Sequence, residues 1–180
     1  MRAPALGLLC LIVLGGPALS LDLPEQNRAA LETRVETFDQ AIRANDTDGI
    51  IAVVPPKVLA FIAEKASVTV DELKQGLAGQ IEQAMTDVTI VSFGMDLDAA
   101  EVAETAEGRT YLMVPTHSVM EAPNVGKVET KTHTLAFEDD GRWYLVRLDN
   151  DRQKAILKEA YPEFADITFP DGTMEILKAD

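Results

Sequence analysis

The residues able to do chemistry are few. Histidine occurs twice, at His117 and His133, and the lone cysteine is Cys10. The two histidines fall in neighbouring β-like segments separated by Pro123-Asn124-Val125-Gly126. A turn centred on Val125 would leave them equidistant from it and make them a cross-strand pair. Such a pair could respond to pH or supply two metal ligands, with Glu121 or Asp96 as a third. The plainer account is two half-exposed histidines on a sheet face among Thr116, Thr132 and Thr134, and no metal is expected. Ser118 adjoins His117, so on a strand the two point to opposite faces and cannot act as nucleophile and base.

Asp96 and Asp98 share a face under the two-residue period of a strand. Paired carboxylates can divide into acid and base when burial raises one of them. In a chain with 30 acidic residues, however, a solvated edge is the simpler reading. Ser92 and Gly94 continue that face with small side chains that would leave room for a pocket. Met95, Met113, Met120, Phe93, Phe137 and Trp143 could line an apolar cavity, because methionine-rich walls adapt to varied ligands, or could simply be core. Ser92, Gly94, Asp96, Met113, His117, His133 and Trp143 are therefore the candidate ligand-binding residues. No catalytic residue is assigned, and no cofactor motif is present.

These side chains need elements to hold them. Leu31, Val35, Phe38 and Ile42 recur at helical spacing and predict a helix over about 25–44. Asn45-Asp46-Thr47-Asp48 stops it and offers caps for a short apolar turn or helix at 50–54. Pro56 can open a helix over 57–66. Thr69-Val70-Asp71-Glu72 is a capping-box pattern, followed by Leu73, Leu77, Ile81 and Met85 on one helical stripe to about Thr86. From Val88 the period becomes that of strands. Val91, Phe93, Met95 and Leu97 share one face, and 101–105 could extend this strand past a bulge. Further strands are expected over 111–121, 127–138 and 143–148, with Asp139-Asp140-Gly141 as a tight hairpin turn. Asp149-Asn150-Asp151 can cap a last helix ending near Tyr161. Residues 163–180 read as a small hairpin or a loosely packed tail.

Helices followed by sequential antiparallel strands give an α+β domain over 21–162, with N-terminal helices packed on a curved antiparallel sheet of about four strands. There is no βαβ alternation and no glycine-rich phosphate loop, which argues against a doubly wound nucleotide-binding fold. The stretch Ala41-Ile42-Arg43-Ala44-Asn45-Asp46-Thr47-Asp48-Gly49-Ile50 and the closing Asp139-Asp140-Gly141-Arg142-Trp143-Tyr144-Leu145-Val146 resemble the NTF2-like superfamily, the SnoaL and ketosteroid-isomerase group. The resemblance covers residues 25 to 150. It implies a cone-shaped domain whose helices and bent sheet enclose a pocket, a tryptophan packed under the sheet, and a homodimer through the outer sheet face. The chain departs from the family where 55–66 reads as helix rather than hairpin. It also lacks a recognisable oxyanion pair or general base, so no catalytic role is carried over.

The N-terminus sets the compartment. Met1-Arg2 supplies positive charge, Ala5 to Gly16 is an uncharged apolar run, Pro17 breaks it, and Ala18-Leu19-Ser20 offers a cut site. Residues 1–20 thus read as a secretory signal cleaved after Ser20, or alternatively after Ala18. The run is shorter than the roughly 20 apolar residues a membrane span requires. Cleavage removes the only cysteine and leaves a periplasmic or extracellular domain without thiol chemistry. The net charge of −14 is spread along the chain and becomes one unit more negative without Arg2. It argues against nucleic acid and against anionic membrane surfaces. The expected function is a non-catalytic module binding a small apolar ligand or a partner protein. The alternatives are an isomerase- or cyclase-type enzyme using pocket carboxylates and an envelope structural protein.

Overall fold

The computed structural model describes residues 22–178, so the signal segment read over 1–20 lies outside the described residues. Helix α1 (Glu25–Ala44) buries Leu31, Ala41 and Ile42. It ends at Asn45, whose φ of 53° is a left-handed conformation that asparagine tolerates. Asp46 then caps α2 (Thr47–Ile51) by accepting from the Gly49 N–H. A β-carbon at Gly49 would lie 2.7 Å from the Ala41 Cβ, so glycine there lets α2 pack onto α1. Helix α3 (Pro56–Ala66) starts on proline, as the sequence predicts. Helix α4 (Val70–Asp87) carries the full capping box between Thr69 and Glu72. It packs on α2 and α3 but has no buried residue.

The strands are β1 (Thr89–Met95), β2 (Glu101–Glu104), β3 (Thr110–Ala122), β4 (Gly126–Asp139), β5 (Arg142–Arg147) and β6 (Thr173–Ile176). They form one six-stranded antiparallel sheet ordered β1-β3-β4-β5, with β2 also on β3 and β6 also on β4. The α+β class therefore holds, with more strands than the sequence pattern marked. Residues 101–104 do not extend β1. A turn seeded by Asp96 separates them, and both strands lie along the same edge of β3. The bulge falls earlier, between Ile90 and Ser92, and makes Val91 the extra, exposed residue.

The β4–β5 hairpin closes on Asp140 and Gly141, both at positive φ, the signature of a two-residue turn matched to strand twist. Helix α5 (Asp151–Ala160) is capped by Asn150, and a 3-10 turn (Pro162–Phe164) follows. The C-terminal segment is neither hairpin nor loose tail. Phe164 and Phe169 enter the core, and β6 pairs with Val128–Lys131 beyond the end of β5.

Both faces of the sheet are covered where β3, β4 and β5 meet. On one face Leu112, Val114, Ala136, Trp143 and Leu145 pack with Leu31 of α1 and Val53. On the other, Tyr111, Met113, Leu135, Phe137 and Val146 pack with Leu157, Tyr161 and Phe164. Phe137 sits edge-on to Tyr161 at 5.0 Å between ring centroids, a favoured aromatic geometry. The sheet is thus packed on both faces at one end, and α4 lies over the other end on α2 and α3.

Candidate functional site

Between α4 and the sheet lies a cavity of about 650 Å³. Its walls are the apolar stripes of the helices: Phe38 and Ile42 of α1, Val58 and Ile62 of α3, and Leu77, Ile81 and Met85 of α4. The stripe that sequence periodicity assigns to α4 therefore faces open volume rather than packed core. Phe38 and Phe93 close one side with an edge-to-face contact at 5.6 Å.

Three hydroxyls, those of Thr116, Ser118 and Thr134, belong to the sheet wall. The register explains why. Alternate residues of β3 and β4 share a face, and the series Glu129, Lys131 and His133 lies on the outer one, so Thr130, Thr132 and Thr134 point inward. The Thr116 Oγ1 donates to the Val114 carbonyl at 3.1 Å and lies 2.8 Å from the Thr134 Oγ1. The ionisable residues of the lining are Arg147 and Asp149. They bind each other, with the Arg147 Nε 2.7 Å from the Asp149 Oδ2.

The sequence candidates separate into three places, none of them in this cavity. Gly94, Asp96, His117 and His133 border a shallow groove on the opposite, outer face together with Pro115, Lys131 and Asp171. Ser92 lines a cleft beside β1. Met113 and Trp143 are buried in the two halves of the core. Of the methionines and aromatics proposed as cavity wall, Phe93 and Met120 reach it, whereas Phe137 belongs to the core and Met95 packs against it.

The histidines are not directly opposed. Asn124 and Gly126 take positive φ and close the turn on the Ala122–Gly126 pair, one residue earlier than a Val125 centre requires. His117 therefore faces Lys131, and His133 faces Pro115. His117 binds Glu129 at 3.0 Å, and Glu129 also holds Lys131 at 2.9 Å. The Lys131 and His117 contacts hold the Glu129 carboxyl below its ordinary value. Asp96 and Asp98 do not form a carboxylate pair either. The Asp96 Oδ1 accepts from the Asp98 and Ala99 N–H groups, and Asp98 reaches Arg28 of α1. Among the described residues no three His, Cys, Asp or Glu side chains group as a metal site.

Sequence reasoning also missed a buried polar cluster outside the cavity lining. Asp139, at 7% exposure, accepts from the Tyr161 hydroxyl at 2.9 Å and from Lys57 Nζ at 3.3 Å. Arg109 lies against the same carboxylate at 3.4 Å, donates to the Glu138 carbonyl and pairs with Glu163 at 3.0 Å. Burial alone would raise the Asp139 carboxyl, but the Tyr161 hydrogen bond and the Lys57 and Arg109 cations outweigh it and hold it below its ordinary value. Burial and the bond to Asp139 push the Tyr161 phenol well above its ordinary value. At neutral pH the acid stays ionised and the phenol stays protonated, so the pair works as a clamp among α3, β4 and the C-terminal segment.

Among the described residues no helix is long and apolar enough to cross a membrane. No family model matches the chain, and none of the curated proteins or solved structures compared with it is significantly similar.

Proposed function

We propose that the protein is an exported, non-catalytic module that takes up a small apolar ligand in the cavity beneath α4, on a fold of the NTF2-like kind. The observation that carries this reading is the make-up of the cavity. It is large enough for a drug-sized molecule, for which pockets run about 300–1,000 Å³. Its walls are mostly aliphatic and aromatic, and its polar groups are neutral hydroxyls, the Gln153 amide and an arginine already bound to an aspartate. An acid–base enzyme needs an ionisable group free to meet the substrate. Here Asp139 and Tyr161, whose titrations their surroundings shift in opposite directions, are not part of the cavity lining. The outer sheet face, the surface a partner protein would use, carries Glu129, Lys131 and His117 and is polar rather than apolar. Export rests on the three-part pattern of the first twenty residues.

The test is uptake of N-phenyl-1-naphthylamine, a neutral apolar dye that brightens out of water. The mature protein should bind it saturably at one site. Ser118→Phe and Leu77→Trp, which push bulk into the cavity from the sheet and from α4, should weaken binding at least tenfold while thermal melting stays cooperative. Dye binding unchanged in both variants would place the ligand elsewhere and refute the reading.

A further inference from the structure

We infer that the cavity is built for an uncharged apolar molecule carrying a hydrogen-bond donor, a hydroxyl or an N–H, which it offers to the Thr134 Oγ1. This inference rests on the cavity reading above and adds the polarity of the ligand. It follows from counting protons. A threonine hydroxyl has one proton and two lone pairs. Thr116 spends its proton on the Val114 carbonyl. The 2.8 Å contact between the Thr116 and Thr134 hydroxyls therefore needs the proton of Thr134. With both protons committed within the wall, these oxygens have only lone pairs left for the cavity. Set against this pair, a ligand whose polar atom is itself only an acceptor, such as an ether or a ketone, would place lone pair against lone pair and would have to turn to the Ser118 hydroxyl or the Gln153 amide elsewhere in the lining. An alcohol or an amide N–H would complete the set.

The charge of the ligand follows from the rest of the lining. Arg147 is the cation among the cavity residues, and it is bound to Asp149. A carboxylate or phosphate ligand would have to break that pair or enter an apolar site without a partner, and the desolvation of an unpaired ion opposes both. The negative charge of the whole chain adds to the penalty.

The test uses naphthalene probes of nearly equal shape: 1-naphthol, 1-methoxynaphthalene and 1-naphthoate. Each is titrated calorimetrically into the mature wild type, Thr134→Val and Thr134→Ser. Valine keeps the volume and removes the oxygen, and serine keeps the oxygen. The ratio of naphthol to methoxynaphthalene affinity should fall about 3- to 10-fold in Thr134→Val, the range one net hydrogen bond provides, and should recover in Thr134→Ser. Methoxynaphthalene affinity itself should stay nearly constant, which separates a lost hydrogen bond from a damaged fold. Naphthoate should be the weakest ligand of the three. An unchanged ratio in Thr134→Val, or naphthoate binding tighter than naphthol, overturns the donor assignment while leaving the cavity reading in place. Failure of all three probes to bind removes the cavity reading and this inference with it.

Discussion

Removing the phenol of Tyr161 should destabilise the protein in a way that depends on Asp139 and disappears in acid. Tyr161 is 1% exposed and gives its hydroxyl proton to the Asp139 carboxylate at 2.9 Å. A hydrogen bond to a charged acceptor is worth about 1.5–3 kcal/mol. In Tyr161→Phe the carboxylate keeps Lys57 and Arg109, so the net loss should be about 1–2 kcal/mol. Asp139→Ala should cost more, about 3–5 kcal/mol, because it orphans a buried hydroxyl and takes the shared anion from two cations. The double variant should be less destabilised than the sum of the two, with a coupling of about 1.5–3 kcal/mol.

Urea denaturation of the three variants and the wild type at pH 7 measures this cycle. The pH dependence has a definite sign. The folded carboxyl lies below its ordinary value of 3.8, so its stabilisation is complete above that value and is lost as pH falls through the lower folded value. The gap between wild type and Asp139→Asn should therefore hold between pH 5 and 7 and narrow below about pH 3. A coupling under about 0.5 kcal/mol, or a gap that is flat down to pH 2, would show that Asp139 and Tyr161 merely sit side by side.

Further outcomes follow from other contacts. Helix α4 has no buried residue, so its amides should exchange with solvent well before those of β3 and β4; hydrogen exchange read by mass spectrometry should rank them so, and saturating dye should slow α4 selectively. Thr69→Ala removes the hydroxyl that accepts from the Glu72 N–H and breaks the capping box. Exchange across the first turns of α4 should then accelerate about fivefold, while that of α1 stays unchanged. A β-carbon at Gly172 would meet the Thr132 Cγ2 at 2.7 Å and the Lys131 carbonyl at 3.2 Å. Gly172→Ala should therefore displace the start of β6 and cost about 1–3 kcal/mol, seen as a lower urea midpoint and new protease cleavage near the C-terminus.

How much of this was legible differs from element to element, and the differences have causes. The helices were readable because each carries a stripe of period 3.6 and a stop or cap the chain cannot avoid, such as Asn45 with Asp46 or Thr69 with Glu72. Strand β1 was partly readable. Ile90 and Val91 are adjacent and both apolar, a break in strict alternation that marks the bulge, and the bulge turns Ile90 and Phe93 toward the same side. The histidine register failed by one residue because it depends on where a turn closes, and that was set by positive φ at Asn124 and Gly126. Strand β6 carries its apolar side chains, Met174 and Ile176, exposed, so no burial pattern announces it and only its backbone pairing defines it.

The cavity floor was hidden for a different reason. Hydrophobic periodicity finds a buried face by its apolar residues, but the inner face of β4 is Thr130, Thr132 and Thr134, and the outer face is Glu129, Lys131 and His133. Both faces read as polar, and attention goes to the histidines. The usable contrast was charge rather than hydropathy. Charged side chains must stay wet, so a strand alternating charged and hydroxyl residues has to turn its hydroxyls inward. Two of the buried threonines, Thr116 and Thr134, satisfy each other across the strands, and with Thr116 donating to the Val114 carbonyl that exhausts the protons of the pair. The feature that made the site invisible to pattern reading, neutral hydroxyls where a core would place Val or Ile, is thus what gives the cavity a preference: it has the volume for an apolar body and, at the Thr116–Thr134 pair, a demand for a donor.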